Sequence, residues 1–377
     1  MNKILQNKKG AALIVTLAIV AILVAAALEL GKFTGESAMA TLKEKDMFQA
    51  EQYALSGISL VRLILSEDAA KNTIDSIQEP WADKEILLQA VSEMGLDQET
   101  LTINVTDELS KIQVNALIKE FPGNQPDFDQ VIIWERFLQQ RFAGKNDLTQ
   151  NDLDQSDPAL IINCLKDWLD SLDDDAITGI SGAESDYYLG LPIPYVPSNG
   201  PFNHVDELLK VKGIYRSLLK DDNIDDNYDL DAREVQLDFK DVFTIYGLDH
   251  EVLANDRYSY NGKININTAN KAVIKALLPE GMEEFAKDLV DFRSQKGEED
   301  EIFINLLDNG WYKKVIDLSK EEQKKFERVI SYSSNIFKVV STGVEKKSKV
   351  KLTVWIKREQ QARSGKWICQ IIQMERE

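Results

Sequence analysis

Three patterns of apolar and polar positions follow one another along the chain. Residues 11–28 are apolar except for Thr16, and as a helix these 18 residues would span about 27 Å, enough to cross the hydrocarbon core of a membrane. Apolar residues then recur three or four positions apart, which predicts that the helix continues to about Glu67. These positions are Ala50, Ala54, Ile58, Val61 and Leu65.

In the rest of the chain, the spacing of the apolar residues changes twice. Alternation and β-branched residues in 101–105 and 111–116 predict a hairpin, and residues 121–260 have a mostly helical pattern. Residues 336–374 alternate again, which predicts antiparallel strands. One apolar face within residues 130–142 is interpreted as core rather than as a cofactor site. That face carries Val131, Trp134, Phe137, Leu138 and Phe142.

Charge is distributed unevenly. The formal net charge is −19, yet residues 337–377 hold ten basic against four acidic side chains, which leaves −25 on the preceding residues. An acidic excess of this size repels phosphate backbones, so general nucleic-acid binding is not expected. Cations or a basic protein surface are the better partners for such a chain.

Cysteine and histidine are too few for most catalytic or zinc sites. Cys164 and Cys369 fit no zinc spacing, and we expect each to be a small buried residue; a single long-range disulfide is the alternative. His204 and His250 are expected at the surface or at helix caps. Chemistry that needs a placed imidazole is therefore not expected, and nothing in the pattern indicates an enzyme.

The N-terminus has three interpretations. Lys3, Lys8 and Lys9 precede the apolar run, so the positive-inside rule puts the short N-terminus in the cytoplasm and the remainder in the periplasm or exterior. A cleaved secretory signal would end near residues 25–27, but the apolar run exceeds the usual length of about 7–15 residues. A plain membrane anchor is the second interpretation, and a processed leader ending at Gly10 is the third.

The third interpretation rests on a resemblance. Lys8-Lys9-Gly10 before Ala11 resembles the site at which prepilin peptidase removes the leader of type IV pilins and pseudopilins, which would make Ala11 the methylated first residue. Those proteins usually have Phe first and Glu fifth, where this chain has Ala11 and Val15. The minor pseudopilin K family of type II secretion systems resembles this chain in lacking that Glu.

Two internal segments strengthen the resemblance to the K family. Residues 167–214 contain an acidic Asp-Trp-hydrophobic-Asp stretch, then Gly-Ala-Glu, Pro-Tyr, Asn-Gly-Pro and Glu-Leu-Leu-x-Val-x-Gly-Ile. Residues 262–281 contain Ile-Asn-x-Asn-Thr-Ala. With the leader, the resemblance spans nearly the whole chain.

The resemblance implies an α+β fold. A transmembrane and amphipathic N-terminal α-helix would pack on a small antiparallel pseudopilin β-sheet, with a large, mainly α-helical domain, SAM-like or helix-hairpin-helix-like, inserted between strands. The expected divisions are a leader (1–10), a transmembrane helix (11–30), its periplasmic continuation (31–67), the first part of the β-domain (68–118), the inserted α-domain (119–334, with sub-domains 119–205 and 206–334) and C-terminal strands (335–377).

The resemblance also implies a function in assembly. Such a protein caps the tip of the periplasmic pseudopilus and helps to initiate it, with the I and J minor pseudopilins as partners. The inner-membrane secretion platform, the secretin and the secreted substrate are further expected contacts. The protein would span the inner membrane once, with its bulk in the periplasm. Val15 in place of Glu suits a tip subunit, which has no neighbour above it whose N-terminal amine needs neutralising.

An acidic stretch is the candidate metal site. Residues 147–186 hold eleven acidic side chains against one Lys, and carboxylates packed together require solvent or a cation. A solvated acidic loop is the alternative. The resemblance implies calcium, with the ligands taken in the order Asp170, Glu184, Asp173, Asp167 and Asp186. A second acidic run, residues 221–241, is interpreted as a loop and only secondarily as a site.

A rival interpretation concerns residues 264–293, which resemble a helix-hairpin-helix of DNA-uptake and repair proteins; residues 207–214 would be a second copy. Such hairpins bind phosphate at a helix N-terminus. Here the turn at residues 279–284 carries three carboxylates, so DNA binding is not expected. Thr268 is expected to cap the following helix. A membrane-anchored DNA-uptake or calcium-binding receptor outside any fibre remains the alternative function.

Overall fold

The computed structural model describes residues 8–142, 157–171, 178, 181–215, 218, 238–249, 257–297 and 302–377, with the backbone alone for residues 8–11. Several residues singled out above lie outside this part of the chain. They are Lys3, Asp173, His250, residues 147–156 of the first acidic stretch and residues 221–237 of the second acidic run.

The secondary structure is as follows. The helices are α1 (Lys8–Lys71), α2 (Lys84–Glu93), α3 (Phe128–Phe142), α4 (Pro158–Leu169), α5 (Ser185–Leu189), α6 (Phe239–Val242), α7 (Lys271–Leu277), α8 (Phe285–Ser294) and α9 (Lys320–Val329). The strands are β1 (Leu101–Asp107), β2 (Ile112–Gln113), β3 (Phe243–Thr244), β4 (Ile264–Asn265), β5 (Ile330–Ser331), β6 (Ile336–Glu345), β7 (Ser348–Gln360) and β8 (Trp367–Arg376). Short 3₁₀ turns lie at Glu108–Ser110, Val114–Leu117, Val205–Lys210 and Trp311–Lys314.

Helix α1 has two parts of different character. The side chains of residues 12–45 are exposed, and this part includes the stretch that is long and apolar enough to cross a membrane. From Ala50 to Leu65 the predicted apolar positions are all buried against the sheet. The amphipathic continuation of the helix is therefore confirmed.

The sheet has the strand order β1-β6-β7-β8, and every pair is antiparallel. Strands β6, β7 and β8 follow one another as a meander, which confirms the strands predicted for residues 336–374. Because side chains alternate between the two faces of a strand, Val339, Val354 and Ile356 share the face that packs on α1. This packing forms the apolar core between helix and sheet.

The helix approaches the sheet closely at its centre. Ser341 Oγ in β6 donates a hydrogen bond of 2.8 Å to the carbonyl oxygen of Ala54 in α1. Gly343 follows Ser341 by two positions in β6. It lies so near the carbonyl oxygen of Ala50 that a Cβ atom at this position would collide with it. Only glycine permits this contact between the two backbones.

The predicted hairpin of residues 101–105 and 111–116 is wrong. Strand β1 pairs with β6, and β2 pairs in parallel with β3 instead. The 3₁₀ turn Glu108–Ser110 directs the chain away from the sheet before it can return along β1. Alternation along a strand reports which face is buried, but it does not identify the partner strand.

The inserted domain lies between β1, where the chain leaves the sheet, and β6, where it returns. Its core includes the apolar face of α3, with Trp134 stacked on Phe243 at 4.7 Å between ring centroids. The core interpretation of residues 130–142 is thus confirmed. Two short parallel pairs, β2 with β3 and β4 with β5, join distant parts of this domain.

The cysteines and the described histidine have structural roles. Cys164 in α4 and Cys369 in β8 are buried free thiols, as expected, and burial raises their pKa values to about 12 and about 11. His204 caps the turn Val205–Lys210, with Nδ1 accepting a hydrogen bond from the Asp206 amide.

Candidate functional site

The end of α4 and the start of α5 bring three carboxylates together. Asp167 lies in the last turn of α4, Asp170 is the residue that ends this helix, and Glu184 is the residue before α5. Their side-chain oxygens all lie within 4.8 Å of one another. Asp167 and Glu184 are buried, with 1% and 3% of their surface exposed. We refer to these three residues as the acidic cluster.

Backbone amides fix the orientation of Asp167. Its Oδ1 accepts a hydrogen bond of 2.9 Å from the Thr178 amide, and its Oδ2 accepts one of 2.7 Å from the Ala183 amide. A Cβ atom on Gly182 would collide with the same carboxylate, so the chain requires glycine there to pass this close. Thr178 and Ala183 are thereby held against the end of α4.

Aromatic side chains make the acidic cluster part of a rigid core. Trp168, next to Asp167, stacks on Phe202 with 5.8 Å between centroids and meets Tyr188 of α5 edge-on at 5.2 Å. Both helices that carry the cluster are therefore anchored by the same indole. A site built on such fixed elements keeps its ligand oxygens in place.

The chemistry of the acidic cluster fits a hard cation. Carboxylate oxygens are the ligands that calcium takes in proteins, and a bound cation would offset the cost of burying like charges together. Asp186 lies in the first turn of α5, is exposed and does not belong to the described cluster, whereas Asp173 lies outside the described residues. The roles of all five predicted ligands, and calcium itself, stay predictions.

The leader residues are described only in part. Gly10 and Ala11 belong to the first turns of α1, and Val15 is an exposed residue of the same helix. Nothing in the structure tests cleavage between Gly10 and Ala11 or the significance of Val15, so both stay predictions.

The Ile-Asn-x-Asn-Thr-Ala segment lies where the inserted domain meets the sheet. Asn265 Nδ2 donates to Asp107 Oδ2 at 2.8 Å and to the Asp75 carbonyl at 3.0 Å. Thr268 Oγ1 donates to Asp107 Oδ2 at 2.6 Å. The expectation that Thr268 caps the next helix is wrong, because Asn270 caps α7 by accepting from the Val273 amide.

Beneath this segment is a buried ion-pair network that the sequence did not reveal. Arg358 of β7 donates to Asp75 at 2.6 Å and to Asp68 of α1 at 3.1 Å, and it is 6% exposed. Burial raises the pKa of Asp75 to about 6, although the Arg358 guanidinium opposes this shift. We refer to Arg358, Asp68, Asp75 and Asp107 as the junction. It ties α1, the sheet and the inserted domain together.

The helical hairpin α7–α8 is fixed from inside by an arginine. Arg293 donates to the carbonyl oxygens of Ile266 and Ala269 at 2.6 and 2.5 Å, and burial lowers its pKa to about 10. The turn between the helices contains three carboxylates, and Glu283 accepts a hydrogen bond from the Gly281 amide there. The Gly281 amide, which could otherwise bind an anion, is thus already hydrogen-bonded to the Glu283 carboxylate.

Comparison with protein families gives a match within the inserted domain. Residues 111–221, which contain the acidic cluster, match the family model of "Type II secretion system (T2SS), protein K". This part of the chain is similar to the type II secretion system protein K family. The family match covers the first part of the inserted domain, where the sequence motifs of residues 167–214 lie.

A curated relative and a solved structure are also similar to this chain. The chain is 30% identical over 223 residues to "Type II secretion system protein K" of Pectobacterium carotovorum subsp. carotovorum, covering 57% of this chain and 62% of the relative. The alignment therefore spans less than two thirds of that relative.

The structural match covers more of the chain than the sequence match. A chain from the crystal structure of the GspK-GspI-GspJ complex of the enterotoxigenic Escherichia coli type 2 secretion system matches with a TM-score of 0.58, covering 90% of this chain and 99% of that chain. At 18% identity, this likeness establishes the fold alone. It confirms the mixed fold of a long N-terminal helix with an antiparallel sheet.

Proposed function

We propose that this protein is a minor pseudopilin that caps the tip of the periplasmic pseudopilus and helps to initiate its assembly. The observation that carries the proposal is the large domain inserted between adjacent strands β1 and β6 of a sheet packed on α1, with the family match inside that domain. A subunit of this width would obstruct the addition of others above it. The function is one of assembly rather than catalysis.

The N-terminal part of α1 would anchor the protein in the inner membrane, with the bulk of the chain in the periplasm. Support comes from the exposed apolar surface of residues 12–28 and from the lysines before it. Prepilin peptidase would cut between Gly10 and Ala11 and leave a methylated amine on Ala11. Val15 in place of a carboxylate agrees with a terminal position, since no amine from a subunit above would need neutralising.

The partners would be minor pseudopilins of the I and J type. The solved complex that shares this fold contains GspI and GspJ, and we extend that arrangement to this chain. The secretion platform would meet the membrane helix, and the secretin or secreted substrate would contact the inserted domain.

We further propose that the acidic cluster binds calcium. Asp167, Asp170 and Glu184 supply convergent oxygens, and Asp173 and Asp186 would be the further ligands. Bound calcium would supply the positive charge that allows the first part of the inserted domain to pack tightly.

The helix-hairpin-helix alternative predicts DNA binding, and two observations weigh against it. The hairpin turn contains Glu280, Glu283 and Glu284, and the chain has a net charge of −19. The comparisons do not favour a DNA-uptake receptor either. We propose that the SAM-like or hairpin shape of residues 262–295 is kept as a scaffold for protein contacts.

The test of the proposed function is reconstitution with I-type and J-type minor pseudopilins from the same organism. With the membrane helices removed from all three proteins, we expect a ternary complex by size-exclusion chromatography with light scattering. A chain that stays monomeric with both partners, or that shifts DNA in a low-salt gel, would contradict the proposal. Mass spectrometry of the membrane-extracted protein tests the leader, with a peptidase-dependent start at Ala11 expected.

A further inference from the structure

A cleft of about 270 Å³ lies between the inserted domain and the sheet. Its sheet wall is formed by Lys338, Val340, Thr353 and Trp355. These positions alternate with the residues of β6 and β7 that pack on α1, so the cleft lies on the face of the sheet away from α1. Residues 238–246 and the turn after His204 form the opposite wall.

The floor of the cleft is apolar and aromatic. The rings of Trp355 and Tyr246 pack with 5.8 Å between centroids, and the Tyr246 hydroxyl donates to Gln373 Oε1 at 2.5 Å. Val205 and Ile245 add aliphatic surface beside them. The two aromatic rings therefore have fixed positions, and they offer a surface on which a flat or aliphatic side chain could pack.

Every carboxylate that lines the cleft already accepts a hydrogen bond from within the protein. The pairs are Glu108 with Lys111 and Thr244, Asp238 with the Phe239 amide, Glu375 with Gln373, and Glu377 with Lys351. A basic guest would therefore meet carboxylates whose charge already has donors within the protein. The four carboxylates of the lining thus have hydrogen-bond donors within the protein.

Among the lysines that line the cleft, Lys338 differs from Lys111, Lys240 and Lys351, which each form an ion pair. Its Nζ lies 5.9 Å from the centroid of the Trp355 ring, and within the described part of the chain it forms no ion pair. Burial lowers its pKa, and the facing charges of Lys111 and Lys240 lower it further, against the opposing effect of Glu108 and Asp241. A carboxylate brought next to this ammonium would relieve its unfavourable surroundings.

We propose that this cleft binds an acidic peptide segment of a partner protein, with a carboxylate on Lys338 and a neighbouring apolar side chain on Trp355 and Tyr246. The volume holds one or two side chains and is below the usual range of about 300–1,000 Å³ for small-molecule pockets. A free inorganic anion would leave the aromatic floor uncovered. The proposal does not depend on where the protein sits in a fibre.

The test uses the full chain in detergent micelles and isothermal titration calorimetry. The probe is the peptide acetyl-Gly-Asp-Phe-Glu-Gly-amide, and its neutral counterpart has Asn and Gln in place of the two acids. Citrate serves as a small anion without an aromatic group. The variants are Lys338→Met, which keeps the aliphatic stem over Trp355, and Lys349→Met, a matched loss of charge at an exposed position of β7 outside the cleft.

We expect the acidic peptide to bind the native chain and Lys349→Met equally, and Lys338→Met roughly tenfold more weakly, because a charged hydrogen bond is lost. The neutral peptide should bind the native chain at least tenfold more weakly than the acidic peptide, for the same reason. No binding at millimolar acidic peptide, or equal binding by both variants, would overturn the proposal. Citrate binding that depends on Lys338 without peptide binding would overturn the peptide assignment in favour of a free anion.

Discussion

The acidic cluster and the junction both gather carboxylates in the protein interior, but they compensate the charge in different ways. At the junction the chain supplies its own cation, Arg358, within 2.6 Å of Asp75. At the acidic cluster Asp167 receives two backbone amides, and within the described part of the chain it forms no ion pair. The junction should therefore be complete without any ion, whereas the cluster should respond to one.

The largest effect should follow from removing the internal cation. Arg358→Met leaves Asp68 and Asp75 buried without their guanidinium, and we expect the free energy of unfolding to fall by about 3–5 kcal/mol. Guanidinium chloride denaturation of the full chain in detergent measures this change. Arg363→Met, at an exposed position between β7 and β8, is the matched control and should change stability little. Equal stability of the two variants would show that the junction does not hold the domains together.

A smaller effect should appear at the acidic cluster. Calcium at one hundred times its dissociation constant should stabilise the native chain by about 2.7 kcal/mol, which differential scanning calorimetry would detect as a rise in Tm. Asp170→Ala combined with Glu184→Ala should remove the response, and the exposed Asp288→Ala on α8 should retain it. An unchanged Tm in millimolar calcium would refute the calcium proposal but leave the junction prediction intact.

A third effect should be a pH dependence at the edge of the junction. Burial raises the pKa of Glu79 from 4.5 to about 8, and the Asp68 and Asp75 carboxylates add to the shift, while the Ser76 amide opposes it by donating a hydrogen bond to Glu79. Because the folded protein binds this proton more tightly, the contribution is fully present below pH 4.5 and is lost as the pH rises to about 8.

Glu79→Gln should flatten the upper part of that dependence. Stability of the native chain and of the variant, measured by denaturation from pH 6 to pH 9, should converge at the acidic end and separate at the alkaline end. Asp75 also titrates with a raised pKa of about 6, so only the part above this value is assigned to Glu79. Parallel curves across the whole range would contradict the assignment.

Local periodicity explains which parts of the fold could be predicted from the sequence. The buried stripe of α1 and the strands β6 to β8 repeat with their own period, so the sequence alone indicated them. The partner of β1 and the role of Thr268 depend on residues far away in the chain. Asp75 and Arg358 are 283 positions apart, and no local pattern brings them together.

The candidate site also has a part that the sequence predicted and a part that it did not. Asp167, Asp170 and Glu184 could be named because they belong to one acidic stretch with a family resemblance, and the structure brings these three together. That Asp167 is oriented by the amides of Thr178 and Ala183 was not predictable. Gly182, in the Gly-Ala-Glu motif, is the sequence signal that could have indicated it, since a residue without a Cβ atom permits the close approach to Asp167.

The insertion between β1 and β6 also constrains the order of folding. Thr106 and Lys338 face each other across these strands although they are 232 positions apart. Pairing across such a separation is slow, because a long loop must close before any contact forms. The part of the apolar stripe of α1 that packs on β6 to β8 therefore stays uncovered until these strands have been synthesised. Apolar surface that is exposed during such an interval favours aggregation, so the insertion lengthens the time for which the growing chain carries this risk.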